Sequence, residues 1–177
     1  MTISKSILKR LPKVELHCHL DGSIRVKTMI DLAQKDKVKL PSMNEKDLSQ
    51  MLIIGKNRGT LEDYLKRFDY TLSVMQTPES LTRTAFELIE DVSKENMKYI
   101  EIRYSPILHT QKGMTISESV EAVRAGLKQG EKVFGVQSGI IVCGIRNISP
   151  EVSLKLADLT VQYKNKGVVG FDLAGAE

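Results

Sequence analysis

Four ionisable residues alternate along one short, otherwise apolar segment. Residues 14–21 read VELHCHLD, and successive side chains of a β-strand point to opposite faces. This alternation predicts Glu15, His17, His19 and Asp21 on one face and the apolar residues on the other. Ionisable groups inside a parallel sheet are costly to bury unless they meet polar partners or a metal. The polar face therefore indicates a functional site unless it lies in solvent.

The His-x-His pair within this segment has the arrangement of a metal site. Two imidazoles on one strand face, those of His17 and His19, can supply half of a four-coordinate shell for a first-row metal ion. The motif is weak by itself, so a second interpretation stays open, in which the strand is an edge strand with a solvated face and inert histidines. Cys18 points to the opposite face, and we expect a small core residue there.

Short β-branched runs alternate with longer helical segments along the chain. Strands are predicted at residues 14–20, 99–104, 139–145 and 168–173. The intervening helices have start signals: Ser23 for a helix through about Lys35, Thr77 before Pro78, a capping box of Thr115 and Glu118, and Ser149 before Pro150. Strands separated by helices pair in parallel, so the fold class is α/β.

Composition excludes several classes of protein. The 177 residues are 41% hydrophobic and 27% charged, enough for one substantial core, and typical of neither a disordered nor a membrane-spanning chain. The net charge of +4, the 5% of aromatic residues and the absence of Trp argue against nucleic acid. Two distant cysteines exclude a disulfide scaffold. Without a signal-peptide core or a long apolar run, we expect a cytoplasmic protein with no membrane partner.

Four segments together carry a resemblance to a known family. Residues 11–24 (LPKVELHCHLDGSI) resemble the opening strand of the adenosine deaminase family, and the likeness continues in the family's order through residues 61–70 (LEDYLKRFDY), 100–106 (IEIRYSP) and 168–177 (VVGFDLAGAE). The resemblance implies a (β/α)8 TIM-type barrel with its active site at the C-terminal ends of the strands. The chain would supply about the first four strand–helix units, as the N-terminal half of a single barrel without a second domain.

The resemblance also implies roles for individual residues. By similarity, His17 and His19 bind Zn2+, and His19 also lies against the substrate. Asp21 matches the position that hydrogen-bonds the ribose 5′-hydroxyl, and Gly175 matches the glycine whose backbone N–H meets the purine. A helical face would form an apolar lid over the purine, from Leu61, Tyr64, Leu65 and Phe68. From the residues alone, Asp21 and Gly175 would be turn residues and the helical face would be core.

The implied reaction is hydrolytic deamination of adenosine, and of 2′-deoxyadenosine, to inosine and ammonia by a zinc-activated water, in purine salvage. No catalytic residue of the family matches a position in this chain: the third zinc histidine, the general-acid glutamate, a further histidine and an aspartate pair all lie outside it. We therefore expect the 177 residues to be inactive without the missing C-terminal half of the barrel.

Two further residue predictions come from the second strand and the loop after it. Glu101 and Arg103 share a strand face, so we expect them to form a buried ion pair. His109 matches none of the family motifs and is expected to be an ordinary loop residue.

Three alternatives remain at this point. Adenine deaminase and AMP deaminase share the His-x-His opening. Relatives that act on the free base tend to have glutamate at the position of Asp21, and a phosphate-bearing substrate would favour clustered Arg or Lys at the mouth, which we cannot place there. The third alternative is a non-catalytic half-barrel binding module, which would fold cooperatively by itself.

Overall fold

Four parallel strands form one sheet, in the order in which they occur along the chain. The computed structural model describes residues 4–52 and 61–175, except the side chains of residues 61–66. The strands are β1 (Lys13–His19), β2 (Met97–Tyr104), β3 (Gln137–Ile145) and β4 (Val168–Ala174). The α/β class and all four predicted strands are confirmed, with ends that differ by one or two residues.

Helices occupy the connections between the strands. They are α1 (Lys5–Arg10), α2 (Val26–Asp36), α3 (Glu45–Leu52), α4 (Leu61–Val74), α5 (Pro78–Ser93), α6 (Ile116–Phe134) and α7 (Pro150–Tyr163), with short 3-10 helices at Pro106–His109 and Lys164–Lys166. Within the described ranges, no helix is both long enough and apolar enough to cross a membrane.

Two of the predicted helix starts are capping boxes. The N–H of Glu118 donates to the Thr115 hydroxyl at 3.1 Å, and the N–H of Thr115 donates back to the Glu118 carboxylate at 2.8 Å. The Thr115 hydroxyl also donates to the Glu118 carboxylate at 2.8 Å, and the bonds that the Thr115 N–H and hydroxyl donate to this carboxylate lower the pKa of Glu118. Thr77 and Ser80 cap α5 in the same reciprocal way. Both caps satisfy backbone donors that the first turn of a helix leaves free.

The predicted start at Ser23 is wrong. The Ser23 hydroxyl donates to the carbonyl of His19 at 2.5 Å, so it closes the turn after β1. Helix α2 begins at Val26 with Arg25 at the N-cap, and Arg25 makes ion pairs of 2.8 and 2.7 Å with Glu90 and Asp91 of α5. The short polar residue closes the turn, and the helix begins where the arginine reaches α5.

The core lies between the inner strands and the helices. Ile100, Ile102 and Val142 are fully buried, and α5 and α6 pack closely against each other. The close approach requires Gly126, because a Cβ there would lie 2.2 Å from the carbonyl oxygen of Thr82. The inner strands are therefore held from the helical side by a well-packed helix pair.

The outer strands are less covered. In β1, Val14 and Leu16 are 60% and 57% exposed, and in β4, Phe171 and Leu173 are 42% and 45% exposed. Apolar side chains of both outer strands are therefore partly open to solvent. The physical reason is that, in the described sheet, each of them pairs with a neighbour on one side only.

Candidate active site

Two histidines on β1 point to the same nitrogen of an arginine on β2. Nη1 of Arg103 lies 2.9 Å from Nε2 of His19 and 3.5 Å from Nε2 of His17. A guanidinium group only donates hydrogen bonds, so both Nε2 atoms are unprotonated acceptors directed at one cationic group. Neutral imidazole lone pairs that converge in this way are the donors that zinc requires. His17 and His19 therefore fit half of a zinc shell.

A bulge in β1 removes Glu15 from this face. Three steps along β1, from Glu15 to Cys18, lie opposite two steps along β2, so strict alternation is interrupted. Glu15 is exposed, and its carboxylate accepts the backbone N–H of His17 at 3.1 Å. The prediction that Glu15 shares the face of His17 and His19 is wrong for this reason. Among the described residues, no three His, Cys, Asp or Glu side chains cluster as metal ligands.

Arg103 is the centre of a buried polar network on the inner face of the sheet. It is 6% exposed, and its Nη2 lies 2.7 Å from the Asp172 carboxylate and 2.8 Å from Sγ of Cys143. Cys143 and Asp172 are in register on β3 and β4, which brings both to the C-terminal half of the sheet. This network links the histidines of β1 to β4 through a single side chain.

The expected ion pair of Glu101 with Arg103 is wrong. Glu101 lies two residues nearer the N-terminal end of β2. Its carboxylate accepts a hydrogen bond from the Tyr99 hydroxyl at 2.9 Å. Arg103 reaches in the opposite direction, towards Asp172. Sequence analysis found neither Cys143 nor Asp172 as a partner, although an Asp within the apolar run of residues 168–174 was a signal that could have indicated one.

Both cysteines have the environment of buried thiols. Cys18 is half-buried against the core, as predicted for the opposite face of β1, and burial raises its pKa. Burial also raises the pKa of Cys143, while the charge of Arg103 lowers it. Among the described residues, both are free. They contribute packing and, for Cys143, an acceptor for Arg103.

Asp21 lies directly after β1, beside the histidines. It is 7% exposed, and its Oδ1 is 3.7 Å from Nδ1 of His19. Asp21 lines a cavity of about 300 Å3 at the C-terminal ends of the strands, together with His19, Phe68, Arg103, Ser105 and Gly175 among others. The structure thus brings four predicted site residues to one cavity: His19, Asp21, Phe68 and Gly175.

Gly175 and helix α4 both line this cavity. Gly175 has φ +114°, a backbone conformation that favours glycine, and a Cβ there would lie 3.1 Å from the Asn147 side chain. On α4, the Phe68 ring lies 6.0 Å from the ring of His19. The side chains of the other three predicted lid residues lie outside the described residues: Leu61, Tyr64 and Leu65.

Comparison with known proteins identifies the family. The family model for adenosine deaminase matches residues 12–177. An adenosine deaminase of Clostridium botulinum (strain 657 / Type Ba4) is 45% identical over 169 residues, which cover 96% of this chain and 51% of that protein. The chain belongs to the adenosine deaminase family. It spans about half the length of the curated relatives that it matches.

Solved structures of this barrel type agree. An amidohydrolase from Burkholderia ambifaria with bound Zn has a TM-score of 0.86 at 22% identity. The match covers 100% of this chain and 48% of the amidohydrolase chain. The N6-mAMP deaminase of Arabidopsis has a TM-score of 0.80 at 30% identity, over 96% of this chain and 52% of its own. The TIM-barrel prediction is confirmed, and the described strands correspond to about half of such a barrel.

One residue of this deaminase-family chain is placed quite differently from the prediction. His109 is fully buried at the end of the 3-10 helix after β2, its ring 5.5 Å from that of Tyr104 and its Nδ1 2.7 Å from the carbonyl oxygen of Met75. Burial lowers its pKa. The prediction of a loop residue is wrong because Pro106 starts a helical turn that carries His109 beneath α6. Pro106 was the available signal.

Proposed function

We propose that the complete protein deaminates adenosine and 2′-deoxyadenosine hydrolytically to inosine and ammonia. One observation carries the proposal: the lone pairs of His17 and His19 converge beside a cavity that Asp21 and Gly175 border. The relatives named adenosine deaminase, at about 45% identity, support the same reaction. The two free cysteines are compatible with a reducing cytoplasm, where the reaction would serve purine salvage.

The metal in this proposal is Zn2+, held by Nε2 of His17 and Nε2 of His19 with further ligands from the rest of the barrel. When bound, zinc lowers the pKa of a coordinated water to about 7 and supplies the nucleophile. The Zn-containing neighbour from Burkholderia ambifaria supports this choice of metal. Arg103 now donates to both imidazoles, so its guanidinium must withdraw from Nε2 of His19 towards Asp172 and Cys143 when the histidines bind metal.

The remaining assigned residues bind and orient the nucleoside. Asp21 accepts a hydrogen bond from the ribose 5′-hydroxyl, and the backbone N–H of Gly175 donates one to the purine. Phe68 packs on the base. These contacts hold C6 of the purine near His19, which lines the same cavity. The apolar ring of Phe68 and the lid residues of α4 exclude bulk water from the reacting atoms.

We propose that the general acid, the third histidine ligand, the further histidine and the aspartate pair belong to a C-terminal half of the barrel, packed against β1 and β4. Two observations support this. The curated relatives are about twice as long as this chain, and the apolar side chains of these outer strands are exposed. The 177 residues by themselves would then bind metal weakly and catalyse nothing.

AMP is the second candidate substrate, because the Arabidopsis neighbour is an N6-mAMP deaminase. A 5′-phosphate would have to lie beside the buried carboxylate of Asp21, and like charges in a buried site repel each other. This repulsion favours the nucleoside over AMP. The free base adenine is disfavoured for a different reason, because it offers no 5′-hydroxyl to Asp21. A non-catalytic binding module is the remaining candidate.

The test compares adenosine, AMP and adenine as substrates of the complete, zinc-loaded protein at equal concentrations. Loss of adenosine absorbance and release of ammonia measure kcat/KM for each. The highest kcat/KM with adenosine supports the proposal, whereas a higher value with AMP or adenine would replace the substrate. Binding of adenosine without any turnover, at full zinc content, would favour the binding module.

A further inference from the structure

Three buried side-chain atoms near the cavity lack a hydrogen-bond partner within the described ranges. They are Oδ1 of Asp21, Nε of Arg103 and Nε2 of His109. Oδ1 of Asp21 lies 3.7 Å from Nδ1 of His19, which is beyond hydrogen-bond distance. Buried polar atoms are nearly always hydrogen-bonded, to protein or to ordered water. Arg103 already belongs to the polar network of the site, so the two acceptors, on Asp21 and His109, need an explanation. His109 has no part in the function proposed above.

The hydrogen bond at Nδ1 fixes what His109 can offer at Nε2. A carbonyl oxygen only accepts, so Nδ1, 2.7 Å from the Met75 oxygen, carries the proton. Burial lowers the pKa of His109 and favours the neutral ring. Nε2 is thus an unprotonated acceptor, and Oδ1 of the Asp21 carboxylate is an acceptor as well. The two atoms cannot bond to each other directly.

Both atoms lie near the same wall of the cavity. Burial lowers the pKa of His109 and is the larger effect, and the charge of Asp21 opposes it by raising that pKa. Tyr104, whose ring is 5.5 Å from His109, lines the cavity together with Asp21, and so does Leu108, the residue before His109. His109 therefore lies behind the part of the cavity wall that Tyr104 and Leu108 form, in the cavity that Asp21 also lines.

A water molecule satisfies two acceptors at once, because it has two donor hydrogens. We propose that a buried water joins Oδ1 of Asp21 to Nε2 of His109 and makes His109 a positioning residue. The bridge holds the Asp21 carboxylate in one orientation, with Oδ2 left for the 5′-hydroxyl of a nucleoside. This inference rests on the proposed function for the role of that hydroxyl.

The variant that separates positioning from structure is His109→Asn. The asparagine amide can still donate to the Met75 carbonyl from about the place of Nδ1, but it does not reach the place of Nε2. In the complete enzyme, we expect kcat/KM for adenosine to fall about five- to ten-fold, the worth of one bridged hydrogen bond to a charged group. The value for 5′-deoxyadenosine, which lacks the hydroxyl, should stay within about two-fold of wild type.

Gln76→Leu is the matched control. The Gln76 amide donates to the carbonyl of Leu108 and accepts the N–H of Gln111, both at 2.9 Å, so it holds the same 3-10 helix without touching Nε2 of His109. Its loss should lower the activity on both nucleosides by the same factor. Equal losses on the two nucleosides in His109→Asn would overturn the proposal and leave His109 as a packing residue.

Asp21→Ala provides the second arm. With the carboxylate removed, His109→Asn should cause no further loss of preference for adenosine over 5′-deoxyadenosine, since the two residues act as one unit. An additive loss in the double variant would contradict the bridge. If the wild-type enzyme does not deaminate adenosine at all, the proposed function fails, and the bridge is then decided by structure alone.

A crystal structure of the complete protein supplies that decision, and also applies if His109→Asn does not fold. A water within hydrogen-bond distance of both Oδ1 of Asp21 and Nε2 of His109 would support the proposal. A dry gap between the atoms, or a ring whose Nε2 bonds to another protein group, would overturn it.

Discussion

The inner and outer strands of this sheet differ in what they depend on. Ile102 on β2 and Val142 on β3 are fully buried by elements of the described chain, whereas Val14 on β1 and Phe171 on β4 are 60% and 42% exposed. Yet the outer strands carry the histidines and Asp172, and β1 leads into Asp21. Stability and chemistry are thus concentrated on different strands, and Arg103 on β2 connects them.

The difference leads to a strong expectation for the 177 residues when they are produced alone. Exposed apolar edges favour association, and two histidines leave a zinc shell incomplete. We expect the isolated chain to self-associate, to lose zinc on dialysis and to show no turnover of adenosine. Light scattering, metal analysis and adenosine absorbance measure the three properties. A monodisperse monomer with stoichiometric zinc and sustained turnover would contradict the dependence of the outer strands on another half.

In the complete enzyme, removal of either imidazole on β1 should abolish metal binding and turnover together. We expect His17→Ala and His19→Ala each to lose zinc, because each removes one of the two converging lone pairs. Cys18→Ala is the matched control, since Cys18 lies between them but packs against the core. Metal content should remain full in the control. Full zinc with normal activity in either histidine variant would refute the site assignment.

Asp21→Ala should have the next largest effect, and it should depend on the substrate. A hydrogen bond to a charged group is worth about 1.5–3 kcal/mol, or about one to two decades in kcat/KM. We expect that loss with adenosine, and a far smaller one in any residual action on adenine, which has no ribose. Steady-state kinetics on both substrates measures it. Equal losses would show that Asp21 is structural.

The sequence predicted the regular part of this molecule well because local signals decide it. Thr77 and Thr115 start helices where predicted, since a hydroxyl next to free backbone donors acts within one turn. Ser23 did not, because its hydroxyl donates to the His19 carbonyl instead, and that choice depends on how the chain turns after β1.

The parts of the site that the sequence did not predict depend on contacts distant in the chain. Arg103 pairs with Asp172 rather than with Glu101 because register brings β3 and β4 beside it. Glu15 leaves the polar face because a bulge adds one residue to β1. His109 is buried by Tyr104 and by the chain around Met75. Met75 lies more than thirty positions away from His109 in the sequence. Alternation and motif matching carry no information about such contacts.

Two truncations in the complete protein compare the strands by stability. Ile102→Ala should lower the free energy of unfolding by about 2–5 kcal/mol, as usual for a fully buried aliphatic residue. Leu16→Ala should lower it by more than about 1 kcal/mol if a C-terminal half covers β1, and by less than about 0.5 kcal/mol if Leu16 stays exposed. Denaturant unfolding measures both. The smaller value for Leu16 would contradict the proposed cover.

The smallest expected effect lies on α6, far from the outer strands. Thr115→Ala removes the hydroxyl that accepts the N–H of Glu118, and we expect a loss of about 1 kcal/mol in the free energy of unfolding with unchanged kcat/KM. Thr115→Ser keeps the hydroxyl and should keep the stability. The backbone N–H and then the hydroxyl of Thr115 lower the pKa of Glu118 in the folded state, and Thr115→Ala loses only the bond from the hydroxyl. The contribution of that bond is present above about pH 4.3, the ordinary pKa of Glu, and is lost as the pH falls through the folded value. The stability difference between Thr115→Ala and wild type should therefore narrow in acid. A stability difference that stays constant down to acid pH would show that the bond from the Thr115 hydroxyl to the Glu118 carboxylate contributes nothing to the cap. A loss of activity in Thr115→Ala would contradict the separation of stability from chemistry between different strands.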